Sequence, residues 1–471
     1  TNNTFSLTHS MKSFIALLLL FAVGLISATN VIDWVRQAPL NEGTADTSVV
    51  PTRVKAGENG TFSYVCGSIQ GVADFGNFTV EGTDWNLAFL TKYNENGTEL
   101  WVRVLNTTGE STCYALAIRD DTVIIGGSYQ GNVTGDLFEG NEGSEVPIAY
   151  HATFDSDGNP IAFVRVGSLD GNASSIQSIE VDDESNIYLA GNFNGSLLLG
   201  LDTLESSGEF DVFYAKLGGD NGLFFFANTT GGIGIDLVTD MSTNKDGLSC
   251  LTGTFQGEIT VGEEVFTALN DHAIWVAEVD GNGTLLWFRH FDSEFGVPSA
   301  VFTHEIGHCT AVGFFNKTLA IPNASNATEV VDVGAYFMRF RANGELAVFK
   351  TTIGDFDDRF YDVSCDNSNN DCFVAGQFTR NVTLGEDSIE SEAEGSKSLF
   401  LKLSMDGLVR ESLIGTGAPN SALAVDNAGQ DAFFAGHFEP GTLTLGDISL
   451  EGIANSTLYY ADWARSDVES S

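Results

Sequence analysis

Basic residues are scarce. The 471-residue chain has 21 Lys and Arg against 64 Asp and Glu, a formal net charge of −43 at pH 7, and only 18% of its residues are charged. A surface so acidic repels phosphate backbones and anionic bilayers, which argues against nucleic acid and membrane surfaces as partners. Cations, basic proteins and neutral glycans stay compatible with it, and solubility alone accounts for much of the acidity. Sustained helical periodicity is missing, so little helix is expected. Nucleotide-binding loops, nucleophile elbows and mixed basic-aromatic runs are missing too. Beyond the first thirty residues no apolar run is long enough to span a bilayer. Cysteine is limited to six residues.

The start reads as a processing signal. Met11-Lys12 opens a short basic region, Phe14 to Ile26 is an apolar run too short for a span, and Ser27-Ala28 supplies small residues for cleavage before Thr29. Residues 1–10 precede Met11 and read as translated leader, so 1–28 are set aside as leader and signal peptide. The polar stretch from Ala464 to Ser471 shows neither a stalk nor a lipid-anchor signal. Export agrees with fourteen Asn-x-Ser/Thr sequons after the signal, at Asn59, Asn77, Asn96, Asn106, Asn132, Asn172, Asn194, Asn228, Asn282, Asn316, Asn323, Asn326, Asn381 and Asn455. Together they predict a eukaryotic glycoprotein, secreted or displayed at the cell surface.

The decisive feature is an internal repeat. A strand ending in glycine recurs at Tyr64–Gly67, Ile124–Gly127, Tyr188–Gly191, Cys250–Gly253, Thr310–Gly313, Phe373–Gly376 and Phe433–Gly436, with the anchor glycines 60, 64, 62, 60, 63 and 60 residues apart. A second glycine follows each anchor, at Gly76, Gly135, Gly200, Gly262, Gly385 and Gly446, with Pro322 in the fifth copy. A third landmark is an alternating strand, such as Ile274–Val279, that ends in a turn signal: Asn96-Gly97, Asp157-Gly158, Asn221-Gly222, Asn282-Gly283, Asn343-Gly344 or Asp406-Gly407. These pairs predict two-residue hairpins with positive φ. A fourth strand follows, as in Leu100–Arg103. Each unit of about 60 residues therefore holds four short strands, the content of one propeller blade.

Seven copies predict an all-β, seven-bladed β-propeller over residues 29–463, with 464–471 as a polar tail. The seventh copy stops after its third strand, at Thr457 to Trp463. Val31-Ile32-Asp33-Trp34-Val35-Arg36 reads like Leu100–Arg103, so residues 31–36 are predicted to pair with 457–463 and close the ring, with Val49 to Lys55 as the first strand of blade one. An open solenoid would leave bare sheet edges and would not explain the split repeat. The series Leu189-Ala190-Gly191-Asn192-Phe193-Asn194-Gly195, Gly200, Asp211 to Leu217 and Asn221-Gly222 resembles the SBBP-type β-propeller repeats of secreted proteins. The resemblance covers about residues 31–463. It implies an extracellular or cell-surface module and no shared chemistry. Val146-Pro147 and Pro322 depart from the pattern, so blades two and five are expected to be irregular.

Several short motifs point to chemistry. His304-Glu305-Ile306-Gly307-His308 matches H-E-x-x-H, which binds zinc when the two histidines lie one helical turn apart. Here it falls where the third copy has Asp182 to Asn186, a hairpin turn, and it reads as coincidence; a weak surface metal is the intermediate case. Asp155-Ser156-Asp157-Gly158-Asn159 resembles a short calcium loop, but a plain turn is the better reading. Asp182-Asp183-Glu184 and Asp355, Asp357 and Asp358 read the same way. The sequence therefore implies neither catalytic residues nor a cofactor, with calcium at Asp155 and Asp157 as the alternative. Cys365 and Cys372 flank a hairpin and predict a local disulfide. Cys66 with Cys113 and Cys250 with Cys309 would then tie neighbouring blades, one choice among the fifteen pairings that six cysteines allow. Trp85, Trp101, Trp275, Trp287 and Trp463 suit either sugar stacking or the core between blades.

Three functions fit. The first is a binding, adhesion or scaffold module for an extracellular protein or glycan. The second is an extracellular hydrolase or lyase, which requires carboxylates and histidines of different blades to converge at the axis. The third is a structural subunit of a coat or filament.

Overall fold

The computed structural model describes residues 31–38 and 47–464, apart from 58–59, 136–137, 139–142, 168–171, 220–221, 270, 323–327, 331–332, 355–357, 385–386, 390–394 and 429–430. The leader and signal peptide, Asn59, Asn323, Asn326, Asp355, Asp357 and all of the tail after Ala464 lie outside the described residues. Every named element is a β-strand. Among the described residues the strands form four sheets of four strands, one of ten, one of six and three separate hairpins, and no sheet closes on itself.

One antiparallel pattern repeats throughout. The first example is Ser48–Ala56, Phe62–Gln70, Leu87–Asn94 and Glu99–Leu105, paired in that order. Between the second and third strands of most units lies an extra hairpin absent from the sequence reading, such as Val72–Phe75 with Phe78–Glu81. The second-landmark glycines Gly76, Gly200, Gly262 and Gly446 sit at its tip with positive φ. The units are also less separate than four-stranded blades predict. Leu285–Thr303 is one continuous strand that pairs with Ala273–Val279 at one end and Cys309–Pro322 at the other, merging two units into a single sheet. Val31–Ala38 pairs antiparallel with Thr457–Ala464, from Val31 opposite Ala464 to Ala38 opposite Leu458.

The anchor glycines mark a β-bulge. The first strand of each unit carries one extra residue opposite its anchor: Thr52, Tyr114, Gln177, Thr239, Ser299, Tyr361 and Leu423 are skipped in the register. The bulge pushes a carbonyl of the first strand against the anchor. A Cβ at Gly67 would collide with the Val50 carbonyl, and one at Gly253 with that of Leu237, so a side chain has no room.

The turns between third and fourth strands differ from the expected two-residue hairpins. Gly97, Gly158, Gly283, Gly344 and Gly407 have positive φ, whereas Asn96, Asp157, Asn282, Asn343 and Asp406 do not. The N–H of Gly97 donates to the Asn94 carbonyl and that of Asn94 to the Thr98 carbonyl. This is a type I turn followed by a glycine bulge, the three-residue loop in which only glycine needs the left-handed region.

The core is distributed rather than central. Seven hydrophobic clusters each join two consecutive units, and the one containing Trp34, Phe433 and Tyr460 joins the last unit to the first. The first strands touch in sequence around the molecule, and Asn420–Ala428 in turn touches Ser48–Ala56.

Candidate functional site

The first strand is the edge of each four-stranded unit, so its outward N–H groups lack a ladder partner. After the bulge, alternate side chains point the same way. This aligns Arg53, Ser178, Asp240 and Asp362 at one level, and Lys55, Glu180, Ser242, Ser364 and Asp426 two residues further on. Together with residues of all seven first strands they line a cavity of about 300 Å³.

Its charges are matched across the cavity. Arg53 Nη2 lies 2.9 Å from Asp240 Oδ1, and Lys55 Nζ 3.2 Å from Glu180 Oε1. Each cation reaches past its neighbouring unit, where Ala115 and Ala117 leave space. The carboxylates and hydroxyls also cap the edge of the following strand. Asp240 Oδ2 accepts from the Val301 N–H, Asp362 Oδ2 from Val425 and Asp426 Oδ2 from Ala56, each at 2.9 Å. Ser242 and Ser364 accept from Thr303 and Asn427.

Burial pushes the Glu180 carboxyl up to about 7 despite Lys55, and that of Asp362 up to about 7 despite Arg53. Burial works against the charges of Arg53 and Lys55, but the surrounding carboxylates, Asp240 and Glu180 foremost, outweigh it and hold both cations above their ordinary range. Two acids poised near neutrality beside two fixed cations can exchange protons with a bound molecule. Unpaired, the same groups could bind ions; as arranged, most of their oxygens are already engaged.

Sequence reasoning did not single out any of these residues. The signal was available: isolated charges inside otherwise apolar strands, at one repeat position. The histidines lie elsewhere. His304–His308 forms the turn between Leu285–Thr303 and Cys309–Pro322, where the His304 N–H donates to the His308 carbonyl. His304 is buried, its Nε2 lies 2.8 Å from Thr310 Oγ1, and burial, with Arg339 and His308, pushes its pKa down to about 3. The sulfurs near it, from Cys365 and Cys372, are bonded to each other. Cys66–Cys113 and Cys250–Cys309 are the other two disulfides.

Asp155 caps its turn. Oδ1 accepts from the N–H groups of Asp157 and Asn159, and Oδ2 from the Asn159 amide; these donors, that amide first, hold the carboxyl below its usual range. Asp182 and Asp280 cap their turns in the same way. Trp101, Trp275, Trp287 and Trp463 are buried between units, whereas Trp85 is exposed.

In an antiparallel sheet ordered one to four, the first and third connections share one end, and the second connection shares the other with the link to the next unit. Asn77, Asn106, Asn132, Asn172, Asn194, Asn316, Asn381 and Asn455 lie at the link end. Asn96 and Asn282 lie at the turn end, and Asn228 lies on an outer strand.

Known protein families and curated proteins give no match to the chain, so nothing ties it to the SBBP repeats in particular. Solved structures do resemble it over most of its length. Virginiamycin B lyase from Staphylococcus aureus is 10% identical, with 91% of this chain and 99% of that one covered and a TM-score of 0.40. An ulvan lyase of polysaccharide lyase family PL25 is 12% identical, with 89% and 97% covered and a TM-score of 0.45. YCF48 bound to D1 peptide is 10% identical, with 94% and 100% covered and a TM-score of 0.39. All three are β-propeller proteins, and at these identities the likeness concerns architecture alone.

Proposed function

We propose that the chain is a secreted, N-glycosylated, seven-bladed propeller that closes through Val31–Ala38 and serves as a binding scaffold for an extracellular protein or glycan. Closure is supported by the last-to-first contacts: the Trp34 cluster, the Asp426 cap on Ala56, and the bond from Trp34 Nε1 to the Glu95 carbonyl at 2.9 Å. The observation that carries the binding role is the use made of the axial charges. The polar groups that converge from different units pair with one another or cap strand edges, so they hold the ring together. Recognition then falls to the turn end, where the sequons are few.

The test is a glycan array and a panel of immobilised acidic and basic polypeptides, probed with the full chain secreted from a eukaryotic host. Asp120→Asn and Asp183→Asn each create a sequon at the turn end, with Thr122 and Ser185 as the hydroxyl residues. Binding that these variants abolish supports the reading; binding they leave intact places recognition elsewhere. A second reading, an axial lyase or hydrolase, draws on Glu180 and Asp362, which burial brings close to neutral pKa beside Arg53 and Lys55. Its signature is polysaccharide or ester turnover that Glu180→Gln removes.

A further inference from the structure

Two fourth strands and Val31–Ala38 carry a tryptophan–arginine latch; the fourth strands of the second, third, fifth and sixth units do not. Trp101 and Arg103 reach into the next unit's turn, Trp101 Nε1 donating to the Ser156 carbonyl at 3.1 Å and Arg103 Nε to that of Gly158 at 2.7 Å, with the guanidinium over the indole at 5.4 Å. Trp34 and Arg36 do the same at Glu95 and Asn96, with the guanidinium 5.5 Å over the ring. Arg289 donates to the Gly344 carbonyl, and the Trp287 ring packs under that glycine. In the third unit the equivalent residues are Phe226 and Asn228. Asn228 Nδ2 still donates to the turn carbonyl, of Gly283, at 3.0 Å. Its short side chain leaves a groove of about 450 Å³ between the third and fourth units, lined by Tyr214, Trp275, Val279, Leu285 and Phe288, with Asn228 in its wall. None of the residues lining it is charged, and grooves of this size, about 300–1,000 Å³, hold small organic groups.

Asn228-Thr229-Thr230 is also a sequon, and Asn228 is exposed. In a strand, residues two apart share a face, so Phe226 and Asn228 project together as Trp101 and Arg103 do. We infer that the first N-acetylglucosamine linked to Asn228 fills this groove against Leu285 and Phe288, so that a sugar holds here the kind of seam that arginine holds at the three latched ones. The attachment balances simply. The Asn228 amide nitrogen takes C1 of the sugar from a lipid-linked oligosaccharide diphosphate. A C–N bond forms, the C–O bond to the diphosphate breaks, one amide proton leaves, and the lipid diphosphate departs. The second amide hydrogen remains for Gly283. Transfer to the unfolded chain precedes strand pairing, so the sugar is present when the groove forms.

The inference rests on the reading of the chain as a secreted glycoprotein. It is tested on the full chain from a eukaryotic secretory host by site-resolved glycopeptide mass spectrometry and thermal unfolding. Asn228→Gln should lower Tm by about 2 °C or more. Trimming every glycan to one N-acetylglucosamine with endoglycosidase H should leave Tm unchanged, because the inner ring stays. Asn228→Arg should recover the loss without a sugar, and Asn172→Gln, at a link, should have no effect. An unmodified Asn228 beside a modified Asn172, or an Asn228→Gln protein as stable as the parent, overturns the latch and leaves the glycoprotein reading intact. A chain with no sugar at any sequon overturns both.

Discussion

At the scale of single residues, the ions of the cavity and the turn glycines have costs that can be separated. Arg53 and Asp240 are largely buried, so Arg53→Met leaves a carboxylate without its counter-charge. The expected loss is about 3 kcal/mol in chemical denaturation. Asp240→Asn keeps an oxygen for the Val301 N–H, and the double variant should lose clearly less than the two singles together; strict additivity would mean the pair contributes nothing. Gly158 combines a φ of +79° with a position where a Cβ would lie 2.7 Å from the Trp101 ring. Gly158→Ala therefore meets backbone strain and overlap at once, and about 2 kcal/mol of destabilisation is expected. Gly222 has a similar φ and open space around it, so Gly222→Ala should meet the strain alone and cost about half as much.

At the scale of elements, the disulfides staple different things. Cys365–Cys372 closes a hairpin of sequence separation 7, and Cys66–Cys113 closes a loop of 47 that joins two units. Loop-closure entropy assigns about 2 kcal/mol to the first and about 4 kcal/mol to the second. Paired Ser substitutions compared by urea unfolding should preserve that order; equal losses would show that packing between units already restricts the longer loop. The strand framework was legible in the sequence because alternation and turn glycines are local signals. The turn at His304–His308 was legible for the same reason, since the motif occupied the position that Asp182 to Asn186 fill in another copy. The bulges were not legible, because one extra residue in a strand leaves no mark on period-two alternation beyond the anchor glycine itself. The cavity site was hidden by distance: Arg53 and Asp240 are 187 residues apart, and only the fold brings them together. The latch was half visible, since Val31–Arg36 could be matched to Leu100–Arg103 without knowing what tryptophan and arginine hold.

At the scale of the whole molecule, two sets of buried groups oppose each other as pH changes. Burial raises Glu180, Asp236, Glu278, Asp362 and Asp462 to about 7. Their folded pKa lies above the unfolded one, so their stabilisation is complete below about pH 4, declines as pH rises above that, and is gone by about 7. Burial lowers His151 to about 4 and His304 to about 3, and depresses His437 as well. Their contribution is present above the unfolded value of about 6.5 and is lost as pH falls below it. Between about pH 4 and pH 6.5 five carboxyls lose stabilisation while three histidines gain it, so the carboxyls prevail: stability should be greatest near pH 4, fall toward pH 7 and level off above it. A Tm that climbs steadily to pH 8 would mean that the carboxyls are not perturbed as burial requires. The pairing of Val31–Ala38 with Thr457–Ala464 has a mechanical meaning as well. Val31 and Ala464 face each other at one end of that pair, so a pull on both ends of the folded chain loads its hydrogen bonds one after another, as in opening a zip. Tension applied at Val31 and Ala464 would peel this seam at low force while the other units stay folded.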